Sequence, residues 1–137
     1  MELVTWKAEM SVGVKKVDEQ HKKLVSMIND LHEAMLAAKG KDALGRLFMG
    51  LADYTSTHFQ TEEELMEIYG YPREDFEHHR LEHKKLIAQV AELKKKAAAG
   101  ELAISVDIMN FLRDWLTGHI MGTDKKMGPF FESKGMS

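Results

Sequence analysis

The stretch DFEHHRLEHKKLIAQVAEL, Asp75 to Leu93, decides how this chain folds. Phe76, His79, His83, Leu86, Val90 and Leu93 recur in it at intervals of three and four. Residues so spaced share one face of an α-helix, whereas a half-buried strand would alternate strictly. Ala97 continues the stripe and Gly100 closes it. Pro72 suits the helix start, because its φ is already helical and its missing N–H would have had no partner there. A rival pair, His78 and Glu82, is also spaced by four. His78 lies about 100° round from the stripe, so that pair reads as solvated, with Glu82 a candidate second partner for a core group.

Three further stripes follow the same period. The first runs through Val17, His21, Leu24, Ile28, Leu31, Met35 and Ala38 to a stop at Gly40. The second has Asp42 as its expected N-cap and continues through Leu44, Leu47, Leu51, Tyr54, His58, Glu62, Leu65 and Tyr69 to Gly70. The fourth carries Ile104, Ile108, Phe111 or Leu112, Trp115 and His119. Helices are expected over about 17–39, 42–69, 73–99 and 102–121. Four such helices on short links predict an all-α, up-down-up-down antiparallel four-helix bundle, one domain over 1–137. Residues 1–16 read as an irregular arm anchored by Trp6. Residues 122–137 read as a tail folding Phe130 and Phe131 onto the bundle.

Composition narrows the function. A net charge of −3 argues against nucleic acid as a partner. The absence of cysteine excludes disulfides, thiolate catalysis and Cys-ligated metals. The N-terminus has no apolar run of the signal-peptide type, and no window is apolar enough to span a bilayer. A cytoplasmic monomer without membrane insertion is therefore expected. The ten methionines suit a helical core. GKDALGRL, Gly40 to Leu47, has phosphate-loop glycines but Arg46–Leu47 where Lys and Ser or Thr are needed. HEAML, His32 to Leu36, lacks the second histidine of a zinc-protease helix.

Every stripe holds a histidine. Five of the seven histidines, His21, His58, His79, His83 and His119, fall on inward positions, and Glu62 lies one turn beyond His58. Any one of them is adequately read as a core histidine bonded to a carbonyl. Five imidazoles and a carboxylate on four stripes are not, because buried polar groups are costly unless paired or metal-bound. Glu62 is in register, while Glu63 and Glu64 read as surface charge. Nitrogen and oxygen donors without sulfur suit a transition metal, and this many donors exceed what a single ion takes. Bundle-core sites of this type hold two metals.

DEQH (Asp18–His21), HFQTEEELM (His58–Met66), HRLEH (His79–His83) and WLTGHIMGTD (Trp115–Asp124) together resemble hemerythrin, most closely its single-domain bacterial members. The resemblance covers nearly the whole chain. It implies two iron ions with an oxo or hydroxo bridge, one held by His79, His83 and His119 and the other by His21 and His58. Glu62 and Asp124 would bridge them. It further implies that dioxygen binds at an open position on the iron held by two histidines, in a pocket lined by Leu24, Phe59, Trp115, Leu116 and Ile120.

The function so implied is reversible dioxygen binding for storage, delivery or scavenging, with an O2-using enzyme as a candidate recipient. The alternative is sensing of dioxygen or nitric oxide, or peroxide-type redox chemistry, at the same centre. No residues are left over for a signalling domain, and an apolar pocket wall offers a catalyst no acid or base, so binding without enzymatic activity is expected. One geometric test remains. His119 and Asp124 are five apart, which on a regular helix leaves them about 140° off a common face. A bridging Asp124 therefore requires the helix to end, widen or turn near Gly122.

Overall fold

A computed structural model of the chain describes residues 3–99 and 106–135, and these are helical apart from short links. Helix α1 spans Lys15–Leu36, α2 Lys41–Tyr69, α3 Arg73–Ala98 and α4 Val106–Gly118. A π-helical segment, His119–Asp124, then leads into α5, Lys125–Ser133. Helix α1 packs on α2 and α4, and α2 on α3, giving the four-helix bundle. Gly100 and Ile104 lie outside the described residues.

Helix ends follow local chemistry. Helix α1 stops at Leu36, before the expected Gly40, because Ala38 turns left-handed at φ 55°. The Lys39 amide then reaches back to the Ala34 carbonyl at 3.0 Å and closes the last turn. Gly40 instead caps α2, which moves Asp42 from the expected cap into the first turn, where its charge still favours the helix dipole. Gly70 ends α2 as expected, at φ 71°.

Two corrections concern which faces are buried. On α2 the buried arc is rotated toward Phe48, Thr55 and Met66, so Leu47 and Tyr69 of the expected stripe are exposed. The arc faces two neighbours, α1 and α3, and is wider than a single line of residues can mark. On α4, Met109, Leu112 and Leu116 are buried, which settles the choice between Phe111 and Leu112 in favour of Leu112.

The core is two apolar clusters. One contains Leu24, Ile28, Leu31, Phe48, Leu51, Met109, Leu112, Leu116 and Ile120. The other contains Val12, Val14, Val17, Met66, Phe76, Met127 and Phe131. Several buried polar residues mark the level between them: His21 between Val17 and Leu24, Glu62 between Leu51 and Met66, His79 after Phe76, Asp124 between Ile120 and Met127. A polar layer is thus sandwiched between two dry ones.

The chain ends close the bundle. Leu3 and Val4 each donate an amide to Asn29 Oδ1 at 2.9 Å, and Asn29 Nδ2 donates to the Val4 carbonyl at 2.8 Å. Trp6 packs against the first cluster but stays half-buried; Val4 and Met10 are the deeper anchors of the arm. The expected tail is a helix. Helix α5 buries Met127, Gly128 and Phe131. Gly128 passes so close to Val12 that a Cβ there would lie 2.2 Å from its carbonyl oxygen.

Candidate metal centre

Each helix of the bundle leads into the polar layer. Helix α1 supplies His21, α2 supplies His58 and Glu62 one turn apart, α3 supplies His79 and His83 one turn apart, and the π-helical segment after α4 supplies His119 and Asp124. All are at most 6% exposed. The seven residues expected from sequence are brought together. Asp124 Oδ2 stands 2.6 Å from His21 Nε2 and 2.8 Å from His119 Nε2, and Asp124 Oδ1 is 2.8 Å from His79 Nε2. Glu62 Oε1 stands 3.2 Å from Nε2 of each of His58, His83 and His119.

The donor atoms form two overlapping groups. One is His21, His58, Glu62, His119 and Asp124; the other is Glu62, His79, His83, His119 and Asp124, with the atoms of each group within 4.8 Å of one another. Both carboxylates belong to both groups. His58 Nε2, His83 Nε2 and Glu62 Oε2 are buried and have no hydrogen-bond partner. Orphaned buried groups of this kind are rare and costly. They fit metal ions, which would take up those lone pairs.

Asp124 reaches the layer because the helix widens. The Lys125 amide bonds to the Ile120 carbonyl, five residues back, so His119–Asp124 is one broad turn. Single π turns of this kind are frequent at functional sites. The predicted irregularity between His119 and Asp124 is therefore present, and the Asp124 carboxylate is fully buried.

Charge is balanced inside the layer. Burial alone would lower the His119 pKa, but the Asp124 and Glu62 carboxylates overcome it and push it up to about 10. Burial likewise opposes ionisation of Asp124, yet His119 with His21 and His58 holds it well below the usual carboxylate range. For Glu62, burial and Asp124 act upward, while His58 and His119 together bring the net shift downward. Without metal, a proton on His119 does part of the work a cation would do.

Two outer partners escaped the sequence reading. Gln20 Oε1 accepts from His58 Nδ1 at 2.7 Å. Glu63 Oε2 accepts from His83 Nδ1 at 3.1 Å, so Glu63 is no plain surface charge. Glu82, the expected candidate, pairs with exposed His78 at 3.2 Å. No spacing along α2 marks Glu63 as such a partner, because its contact is made across to α3.

The expected pocket residues surround the layer. Leu24, Phe59, Leu116 and Ile120 are buried, and Trp115 is half-buried. Phe59 stacks on His83 at 3.8 Å between ring centres, and Trp115 on His119 at 5.4 Å. A cavity of about 330 Å³ opens beside Phe59 and Trp115, its wall including Leu86, Gly118 and His119 together with the polar Glu82, Lys85, Gln89 and Asp114.

Residues 12–131 match the model of the hemerythrin HHE cation binding domain. The chain is 41% identical to a bacteriohemerythrin of Methylococcus capsulatus, covering 94% of this chain and 97% of that protein. It is 37% identical to one of Stenotrophomonas maltophilia, covering 91% and 79% respectively. Among solved structures, a wild-type hemerythrin superposes with a TM-score of 0.86 at 41% identity, covering 93% of this chain and 96% of that one.

Proposed function

This chain belongs to the hemerythrin family, and we propose that it binds dioxygen reversibly at a pair of iron ions in the bundle core. The observation that carries this reading is the convergence of five imidazole nitrogens and two carboxylates into two groups that share both carboxylates. On this reading His79, His83 and His119 hold one iron and His21 and His58 the other. Glu62 and Asp124 reach both, together with an oxo or hydroxo bridge. The iron pair, when bound, supplies the electrons that make dioxygen binding reversible.

The chain's own residues do the rest. Five neutral imidazoles against two carboxylates give a ligand set of low negative charge. Leu24, Leu116 and Ile120 stand one turn or one residue from the ligands His21 and His119 and form a dry wall. A dry wall limits the entry of water and protons, and so the loss of bound dioxygen by oxidation of the metals. The same apolar lining supports binding over catalysis, and storage, delivery or scavenging of dioxygen as the role. No helix among the described residues is long and apolar enough to cross a membrane. We place the protein in the cytoplasm as a monomer.

The test is direct. The iron-loaded protein is reduced without air, dioxygen is admitted, and visible absorption and Raman spectra are recorded with light and heavy oxygen isotopes. A band that appears with dioxygen, shifts with the isotope and disappears on deoxygenation is expected. Two irons per chain with no such band would overturn the reading.

A further inference from the structure

One imidazole in each half of the centre, His83 in one and His58 in the other, has a side-chain partner at its outer nitrogen, and the two partners differ. Behind His83 is a carboxylate, Glu63, at 3.1 Å. Behind His58 is a neutral amide, Gln20, at 2.7 Å, itself held by a bond from Gln20 Nε2 to Thr61 Oγ1 at 3.2 Å. Both imidazoles therefore carry their proton on Nδ1 and turn Nε2 into the layer, but only one leans on a negative charge.

We propose that Glu63 is a positioning residue that widens the electronic difference between the two metal positions, strengthening the one that includes His83. A carboxylate accepting from Nδ1–H draws that proton away and increases electron density at Nε2, so the imidazole becomes a stronger donor. A neutral amide fixes the same tautomer with less of this effect. The geometry around Glu63 is built to keep it there. Arg80 Nε sits 3.5 Å from Glu63 Oε1, leaving Oε2 for His83. Phe59 lies flat on the His83 ring, with planes 6° apart, so the ring has little freedom to turn away. Glu63 is partly exposed, 27% at its side chain, whereas Glu62 is fully buried. The inference rests on His83 being a metal ligand, as proposed above.

The test separates charge from geometry. Glu63→Gln keeps an acceptor for Nδ1–H and removes the charge; Glu63→Ala removes both; Gln20→Glu places a charge behind His58. Stepwise zinc and cobalt(II) affinities are measured by competition with a chelator, and the His83 ring by nitrogen NMR of the zinc form. In Glu63→Gln the affinity of the tighter position should fall about tenfold, narrowing the gap between the two steps, and the His83 Nδ1 resonance should move. Gln20→Glu should narrow the gap from the other side by strengthening the weaker step. Bound iron in Glu63→Gln should also be reduced at less negative potential. If Glu63→Gln matches the parent in affinity, nitrogen shift and potential while Glu63→Ala does not, the hydrogen bond matters but the charge does not, and the proposal is overturned. A parent protein that takes up no pair of metals would overturn the centre itself, and this inference with it.

Discussion

Glycine 128 couples the last helix to the arm, and replacing it by alanine should loosen both the fold and the grip on Asp124. A Cβ at 128 would stand 2.2 Å from the Val12 carbonyl oxygen. That is more than 1 Å inside ordinary contact. The obstacle is backbone, which cannot step aside as a side-chain tip can. Overpacking of this kind costs about 2–3 kcal/mol. Alanine recovers about 1 kcal/mol as the better helix former, leaving a net loss of about 1–2 kcal/mol. For a chain of this size the melting temperature should fall roughly 3–8 °C. The displacement also reaches the metal layer, because Asp124 lies one helical turn before Gly128 and its carboxylate is held within 2.8 Å of His79 and His119. Well-formed metal sites hold their ligand distances within about 0.2 Å of standard values, so a shift of the Asp124 backbone should weaken its hold. Release of metal to a chelator should therefore be faster than in the parent. Gly118→Ala is the internal control: nothing lies within 4 Å of its Cβ and its φ of −64° is helical. It should stabilise by about 0.5–1 kcal/mol. Thermal unfolding by circular dichroism measures both. If Gly128→Ala melts at or above the parent, the close approach carries no energy and the coupling is wrong.

Leu24→Ala and Leu116→Ala, both at fully buried sites, should each cost about 2–5 kcal/mol and speed autoxidation without lowering iron content; iron lost in step with oxygen binding would remove the pocket role for that residue. With the folded pKa of His119 raised to about 10, its contribution to metal-free stability is complete below its unfolded value near 6.5 and is lost as pH rises through 10. The depressed Asp124 contributes above its unfolded value near 3.9 and loses its contribution as pH falls through its folded value. Metal must displace the His119 proton, so zinc added to the metal-free protein at pH 8 in weak buffer should release at least one proton per chain; uptake without release would contradict the charge balance described here. The gain in melting temperature on metal loading should accordingly grow from pH 6 to pH 9, and metal should be lost as pH falls below about 6. Asn29→Ala removes the bonds to Leu3 and Val4 and should cost about 1–3 kcal/mol, with the arm becoming the first site of limited proteolysis.

The bundle, the five inward histidines and Glu62 were legible because burial in a helical protein is written at a period of 3.6; Asp124 lies on no stripe and was reached only through the family resemblance. Imidazoles out of place on four apolar stripes declare a common centre wherever the helices meet. His78 and His79 show how sharp this signal is: adjacent in sequence, one pairs with Glu82 at the surface and the other is 1% exposed beside Asp124. The signal blurs where a helix faces two neighbours at once, which is why the α2 stripe passes through Leu47 while the structure buries Phe48.

Four bundle helices, the stop at Gly70 and the five inward histidines with Glu62 follow from residues within a turn or two of one another, whereas the need for a break between His119 and Asp124 came from the family resemblance that makes Asp124 a ligand. The remaining features depend on how the helices pack. The break is a single π turn rather than an end, because α5 continues beyond it and is held by Met127, Phe131 and the Gly128–Val12 contact. The outer partners Gln20 and Glu63 are set by which helices lie side by side, and no spacing along one helix records that. Local periodicity places a side chain on a face; what that face meets across the core depends on contacts between residues distant in the chain.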